Sequence, residues 1–207
     1  LFAHRLHHSG NVVTLVDYRD DRAEVLRTRG ITVHDKDGTN NGKLKVADSV
    51  PARQDLVMVL CKAYRTQGLR LPANTPVLTL QNGLGNAEKL CELVGSAQVL
   101  AGTTSEACTG LGDGDVRHVA AGKTTFGCWT TCDPEPAASA LKAAGFDVEI
   151  TTSPGQAIWE KVAISNGINP VTALLGVPNG ELLKTKESRQ LIRDLVVEAS
   201  KVAALEG

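Results

Sequence analysis

Strands alternate with helices along the first half of the chain, and no other feature limits its fold as tightly. Residues 1–10, LFAHRLHHSG, read as the middle of a helix. Leu1, Phe2, Ala3 and Leu6 give it a short apolar stripe, and Ser9-Gly10 ends it as a glycine cap would. A β-branched strand over 11–16 comes next, then Asp17-Tyr18-Arg19, a charged helix to Arg29, Gly30 and a short strand over 31–33. Further strands are expected over 55–61, a near-continuous apolar run read as buried, and over 76–80 and 98–101. Helices and strands in this order predict a parallel, doubly wound α/β sheet. The opening helix–strand–helix–strand run is the second part of a βαβ pattern whose first strand is absent.

After residue 102 the pattern changes. Segments 103–108, 115–120 and 123–128 read as short strands with glycine-rich turns, expected to be antiparallel, and 133–144 as a helix with Pro134 close to its start. A final strand is expected over 147–150. The polar stretch 151–155 is the expected boundary between a sheet domain, 1–153, and the start of an all-helical domain, 154–207. Helices are expected there over 156–166, 170–175 and 187–206.

A chain of 207 residues with 42% hydrophobic and 22% charged residues has the ordinary balance of a soluble globular protein. Its formal net charge of −1 and 3% aromatic content argue against a nucleic-acid surface or a base-stacking platform. No apolar stretch approaches a membrane span. Five scattered cysteines fit a reducing cytoplasm better than a secreted disulfide scaffold. Cys128 and Cys132 have half the spacing of a zinc site, but no second pair lies nearby, so no metal centre is expected.

The chemistry concentrates in 159–182, WEKVAISNGINPVTALLGVPNGEL. Lys161, Ser165 and Asn169 are spaced i, i+4 and i+8, which puts them on one helix face. Pro170 restricts the chain near the end of that face, and Asn179 follows in a Pro-Asn-Gly turn. A lysine among neutral hydrogen-bonding groups is oriented without being neutralised, which suits a proton donor to an oxyanion. The competing reading is the wet side of an ordinary helix. Against it, Val162, Ala163 and Ile164 leave no uniformly polar surface.

Doubly wound sheets bind ligands beyond the carboxyl ends of their strands. Three such ends carry polar residues here. After the strand VVTLV, Asp17 could bond a ribose 2′-hydroxyl and Arg19 could neutralise a 2′-phosphate, and the pair is ambiguous. After DLVMVL, Lys62 can reach a diphosphate or ribose, or be an exposed loop lysine. After the third strand, Gln81-Asn82-Gly83-Leu84-Gly85 offers an amide at the mouth of the cleft and two glycines that permit positive φ. His118, inside an expected strand, reads as structural rather than as a proton donor.

VLCKA around Lys62, LQNGLGNAEKL around Asn82 and the run from Trp159 together resemble the ketopantoate reductase (2-dehydropantoate 2-reductase) family. The stretch GTTSEACTGLGDGDVRHVAAGKTTFG is also similar to that family's strand–turn–strand segment. The resemblance covers essentially the whole chain and implies a Rossmann-type sheet with extra antiparallel strands followed by a helical domain. It implies NADPH-dependent reduction of ketopantoate to pantoate, on the route to pantothenate and coenzyme A, with NADH not excluded. It gives Lys161 as the general acid. Asn82 and Asn169 would orient substrate and lysine, Asn179 would hold substrate, and Lys62, Arg19 and Asn82 would face the cofactor. Ser165 stands where the family usually has Asn, so this substrate contact would have a shorter reach. The family's glycine fingerprint and first strand would precede Leu1, and more helical chain would follow Gly207, so a partial chain is expected. Fold analogy makes a homodimer the expected assembly. Three alternatives stay open: a paralogue acting on another 2-oxo acid, a non-catalytic nucleotide-binding or regulatory protein, and a purely structural fragment.

Overall fold

The computed structural model describes residues 1–95 and 98–206. Helix α1, Phe2–His8, leads into strand β1, Thr14–Val16, and helix α2, Asp20–Arg29, ends at Gly30. Strand β2, Ile31–Asp35, then folds back on β3, Gly38–Gly42, and a third short strand, β4, Lys45–Ala47, follows. Neither β3 nor β4 is legible in the sequence. GTNNG has the composition of a turn, and its strand geometry comes from pairing with the edge of β2.

The central layer begins with β5, Val57–Val59, and β6, Val77–Thr79, separated by a 3₁₀ helix, Ala63–Gly68. Helix α3, Asn86–Val94, precedes β7, Val99–Thr104. Strands β8, Ala107–Gly112, β9, Asp115–Ala120, and β10, Lys123–Cys128, follow, then helix α4, Glu135–Ala143, and β11, Asp147–Ile150. Two long helices close the described chain, α5, Pro154–Leu175, and α6, Lys186–Glu206. No described helix is long and apolar enough to cross a membrane.

The strands form a five-stranded sheet in the order β11-β10-β7-β6-β5, a four-stranded sheet β3-β2-β9-β8 and a parallel pair β1-β4. In the five-stranded sheet β5, β6 and β7 run parallel, β10 is antiparallel to β7, and β11 is parallel to β10. Among the described strands none bonds β1 to β5. The two-residue period of the strands divides the core between the two faces. Leu78, Leu100 and Phe126 join Phe2 of α1 and Ala138 and Leu141 of α4 on one side. Val77, Val99 and Ala101 join Ala87 and Leu90 of α3, with Ile158 of α5 packed against them, on the other.

Three expectations need correction. The strand expected over 103–108 is two strands, because Ser105-Glu106 carries the chain from the end of β7 in one sheet to β8 in another. The strand expected to stop at residue 101 continues to Thr104, since Gly102 lets Phe126 of β10 cross closely. The two helices expected either side of Pro170 are one continuous helix. Proline removes one N–H from the ladder, yet α5 continues through it, packed against β7, β10 and α6. The Thr172 hydroxyl also donates to the carbonyls of Ile168 and Asn169 in the same turn.

Candidate active site

The loops that follow β1, β5 and β6 wall a cavity of about 370 Å³. Its lining includes Tyr18 and Arg22 after β1, Lys62 and Arg65 after β5, and Gln81 and Asn82 after β6. Buried Gln81 ties the last two loops together. Its amide nitrogen donates to the Cys61 carbonyl at 2.7 Å and to the Thr66 hydroxyl at 3.0 Å, while its oxygen accepts from the Thr79 hydroxyl at 3.0 Å. A buried amide so fully engaged fixes the loop geometry, because loosening it would strand polar groups. Next to it, Asn82 is exposed on the cavity wall, as is Lys62. Gly83 and Gly85 take φ of 93° and 77°, the conformation expected of this loop, and α3 starts directly after.

Cations and aromatic rings dominate one end of the cavity. The Arg65 guanidinium lies 4.1 Å from the Tyr18 ring centre and 5.6 Å from that of Tyr64, and Arg22 lies 5.6 Å from Tyr18. Lys62, Arg22 and Arg65 with two tyrosine rings at the carboxyl edge fit an anionic ligand carrying a flat base, such as a dinucleotide. Arg22, Arg65 and Tyr18 are not among the residues that the sequence marks as candidates. The only available signal was a second cation three residues after Lys62.

The ambiguous pair after β1 is divided between two partners. Asp17 is buried and accepts from Arg22 Nε at 2.5 Å, from Arg22 Nη2 at 3.0 Å and from the Arg19 backbone N–H at 2.9 Å. Bonding to Asp17 raises the pKa of Arg22. The Arg19 side chain points elsewhere, to Asp21 at 3.0 and 2.6 Å and to Asp113 at 3.3 Å. Pairing raises the Arg19 pKa, and the Arg19 hydrogen bond holds Asp21 down at about 2.

Lys161 sits on α5 against the end of β7. Its ammonium donates to the Thr104 carbonyl oxygen, and the side chain is half-buried. Burial lowers its pKa from the ordinary lysine value. Among the described residues no carboxylate pairs with it. Thr104 enters through its backbone, so no side-chain pattern could have announced it. One helix carries Lys161, Ser165 and Asn169, as their spacing predicts, with Ser165 half-buried and Asn169 exposed. Asn179 is exposed on a 3₁₀ turn, Asn179–Glu181, beyond the helix. Among the described residues no hydrogen bond joins Lys161 to Asn82, Asn169 or Asn179. A smaller space of about 70 Å³ lies between the Gly83–Glu88 segment and α5, lined by Gly102, Trp129, Ile158 and Trp159. Gln81 borders both this space and the larger cavity.

His118 is structural in its setting. It pairs with Glu106 at 2.6 Å, both side chains under a tenth exposed, and with Arg5 of α1 at 3.2 Å. The cluster joins α1 to the four-stranded sheet.

A Rossmann-type sheet with a cation-lined cavity at its carboxyl edge has the architecture of a nucleotide-binding oxidoreductase. The family model described as ketopantoate reductase PanE/ApbA matches residues 1–131, and its C-terminal counterpart matches residues 155–207. The 2-dehydropantoate 2-reductase of Halobacterium salinarum is 36% identical over 206 residues, covering 94% of this chain and 68% of that protein. The crystal structure of 2-dehydropantoate 2-reductase from Geobacter metallireducens superposes with a TM-score of 0.88 at 29% identity, covering 98% of this chain and 70% of that one. A ternary structure of D-mandelate dehydrogenase with NADH and anilino(oxo)acetate gives 0.91 at 23% identity, covering 99% and 70%, and shares the fold. The chain belongs to the ketopantoate reductase family.

Proposed function

We propose that this chain carries the dinucleotide site and the catalytic lysine of an NADPH-dependent reductase that converts 2-dehydropantoate to pantoate. The observation that carries the reading is Lys161: half-buried, bonded to a neutral carbonyl and shifted toward easier proton release. The nicotinamide cofactor supplies the hydride when bound. The residues of this chain do the rest. Carbonyl reduction builds negative charge on one oxygen, and an ammonium aimed at that oxygen both stabilises the charge and delivers the proton. The Thr104 carbonyl holds Lys161 in position without quenching its charge, as a carboxylate would.

Asn82 presents its amide where the cavity opens and orients substrate and cofactor together. Asn169 and Ser165 continue the polar face of α5 from Lys161, and Asn179 holds substrate from the turn beyond. Lys62 and Arg22 face the phosphates, Tyr18 and Arg65 take the adenine base, and Arg19 meets the 2′-phosphate. Residues 1–153 form the nucleotide-binding part and 154–207 the start of the helical part. The test is NADPH oxidation, followed by absorbance, by the intact protein with ketopantoate beside pyruvate and 2-oxoisovalerate. Preference for ketopantoate is expected. Preference for another oxo acid would move the protein to a sister activity, and binding of NADPH without turnover on any of them would remove the enzymatic reading.

A further inference from the structure

We infer that Asp113, on the turn between β8 and β9, sets the cofactor preference of the site by competing with a 2′-phosphate for Arg19. The inference rests on the dinucleotide reading above and names what regulates one end of that site. Tyr18 and Arg22 line the cavity, but Arg19 between them does not. Its guanidinium is drawn outward by Asp21, at 3.0 and 2.6 Å, and by Asp113, at 3.3 Å. Asp113 reaches it from the four-stranded sheet, 94 residues further along the chain.

Two carboxylates around one guanidinium leave that corner net negative. A 2′-phosphate carries between one and two negative charges near neutral pH. To pair with Arg19 it must displace a carboxylate and stand beside the other, whereas a plain 2′-hydroxyl meets neither obstacle. The contact that would favour the hydroxyl is also constrained, since Asp17 already accepts three N–H groups from Arg22 and Arg19. Both determinants are thus satisfied within the protein, and discrimination depends on how readily Arg19 is released.

Asp113 is the adjustable partner. Asp21 lies in the first turn of α2, where a carboxylate also complements the helix terminus. Among the described residues Arg19 is the only side chain that Asp113 bonds. Removing its charge leaves Arg19 with Asp21 as its one carboxylate partner among the described residues, without touching a helix end, and asparagine keeps the turn chemistry of Asp113-Gly114.

The experiment measures the affinity of the intact protein for 2′,5′-ADP and 5′-AMP by calorimetry, in the natural protein and in Asp113→Asn. The substitution is expected to tighten 2′,5′-ADP roughly three- to fivefold at low salt, the scale of an exposed charge pair, with the gain shrinking at high salt. Binding of 5′-AMP should stay within about twofold. Unchanged or weaker 2′,5′-ADP binding overturns the assignment, as does an equal gain for both nucleotides, which would mark a general charge effect. Arg19→Ala should abolish the difference between the two nucleotides, and if that difference survives, Arg19 is not the receptor and the assignment falls. Failure of the natural protein to bind either nucleotide would instead remove the dinucleotide reading itself.

Discussion

Lys161 is half-buried on α5 with a backbone carbonyl as its partner, and its chemistry follows from the charge it does not meet. Desolvation disfavours the ammonium, so its pKa falls, and among the described residues no carboxylate pairs with it. On the proposed role, the proton it would donate is present below the folded-state pKa and lost above it. For carbonyl reduction, kcat/KM should therefore be level on the acid side of that pKa and fall on the alkaline side, with a midpoint below the ordinary lysine value of 10.5. A pH profile that stays flat beyond 10.5 would count against Lys161 as the acid. On the proposed reading, Arg65 and Arg19 differ in what each would recognise. Arg65→Ala should weaken NADPH and NADH alike by roughly fivefold, since the base is common to both. Arg19→Ala should weaken NADPH far more than NADH. Titration calorimetry on both cofactors checks the pair, and a reversal of the two patterns would exchange the assignments.

At the scale of elements, the site depends on how α5 is seated. Gly167 is buried where α6 crosses, and a Cβ there would come within 2.7 Å of a Val196 methyl and 3.2 Å of Ile192. Gly167→Ala should cost about 1–3 kcal/mol in urea unfolding, from overpacking, despite alanine's better helix propensity. A stabilised variant would show that the helix pair has slack. Gln81→Ala removes the buried amide that joins the loops after β5 and β6, leaving Thr66 and the Cys61 carbonyl short of partners. A loss of about 1–3 kcal/mol is expected by the same measurement, together with weaker cofactor binding. These elements also show what a sequence can disclose. The i, i+4, i+8 spacing of Lys161, Ser165 and Asn169 held because a helix repeats its geometry. Apolar runs such as 76–80 held because buried parallel strands need them. Pro170 misled, because packing outweighed the local rule. The GTNNG strand β3 was hidden because its pairing partner, not its composition, makes it a strand.

For the molecule as a whole, the three sheets bring together residues far apart in the chain. The cavity draws on Tyr18, Lys62, Arg65 and Asn82, and α5, from the last third, sets Lys161 against the end of β7. The loop positions of Asp17, Lys62 and Asn82 could be read from strand ends, because the binding edge of a doubly wound sheet is fixed by topology. The Arg65–Tyr18 stack, the Asp113–Arg19 pair and the Thr104 carbonyl could not, since each joins segments whose proximity exists only after folding. A ligand bound across such loops should stabilise all of them together. NADPH at a hundredfold excess over its Kd should add about 2.7 kcal/mol to the unfolding free energy, visible as a raised Tm. The most direct test of the account compares Lys161→Ala with the natural protein in two readings, NADPH affinity by calorimetry and turnover on ketopantoate. Affinity within about twofold and turnover reduced by roughly a hundredfold or more is the predicted result. Turnover near the natural level with the lysine removed would contradict it.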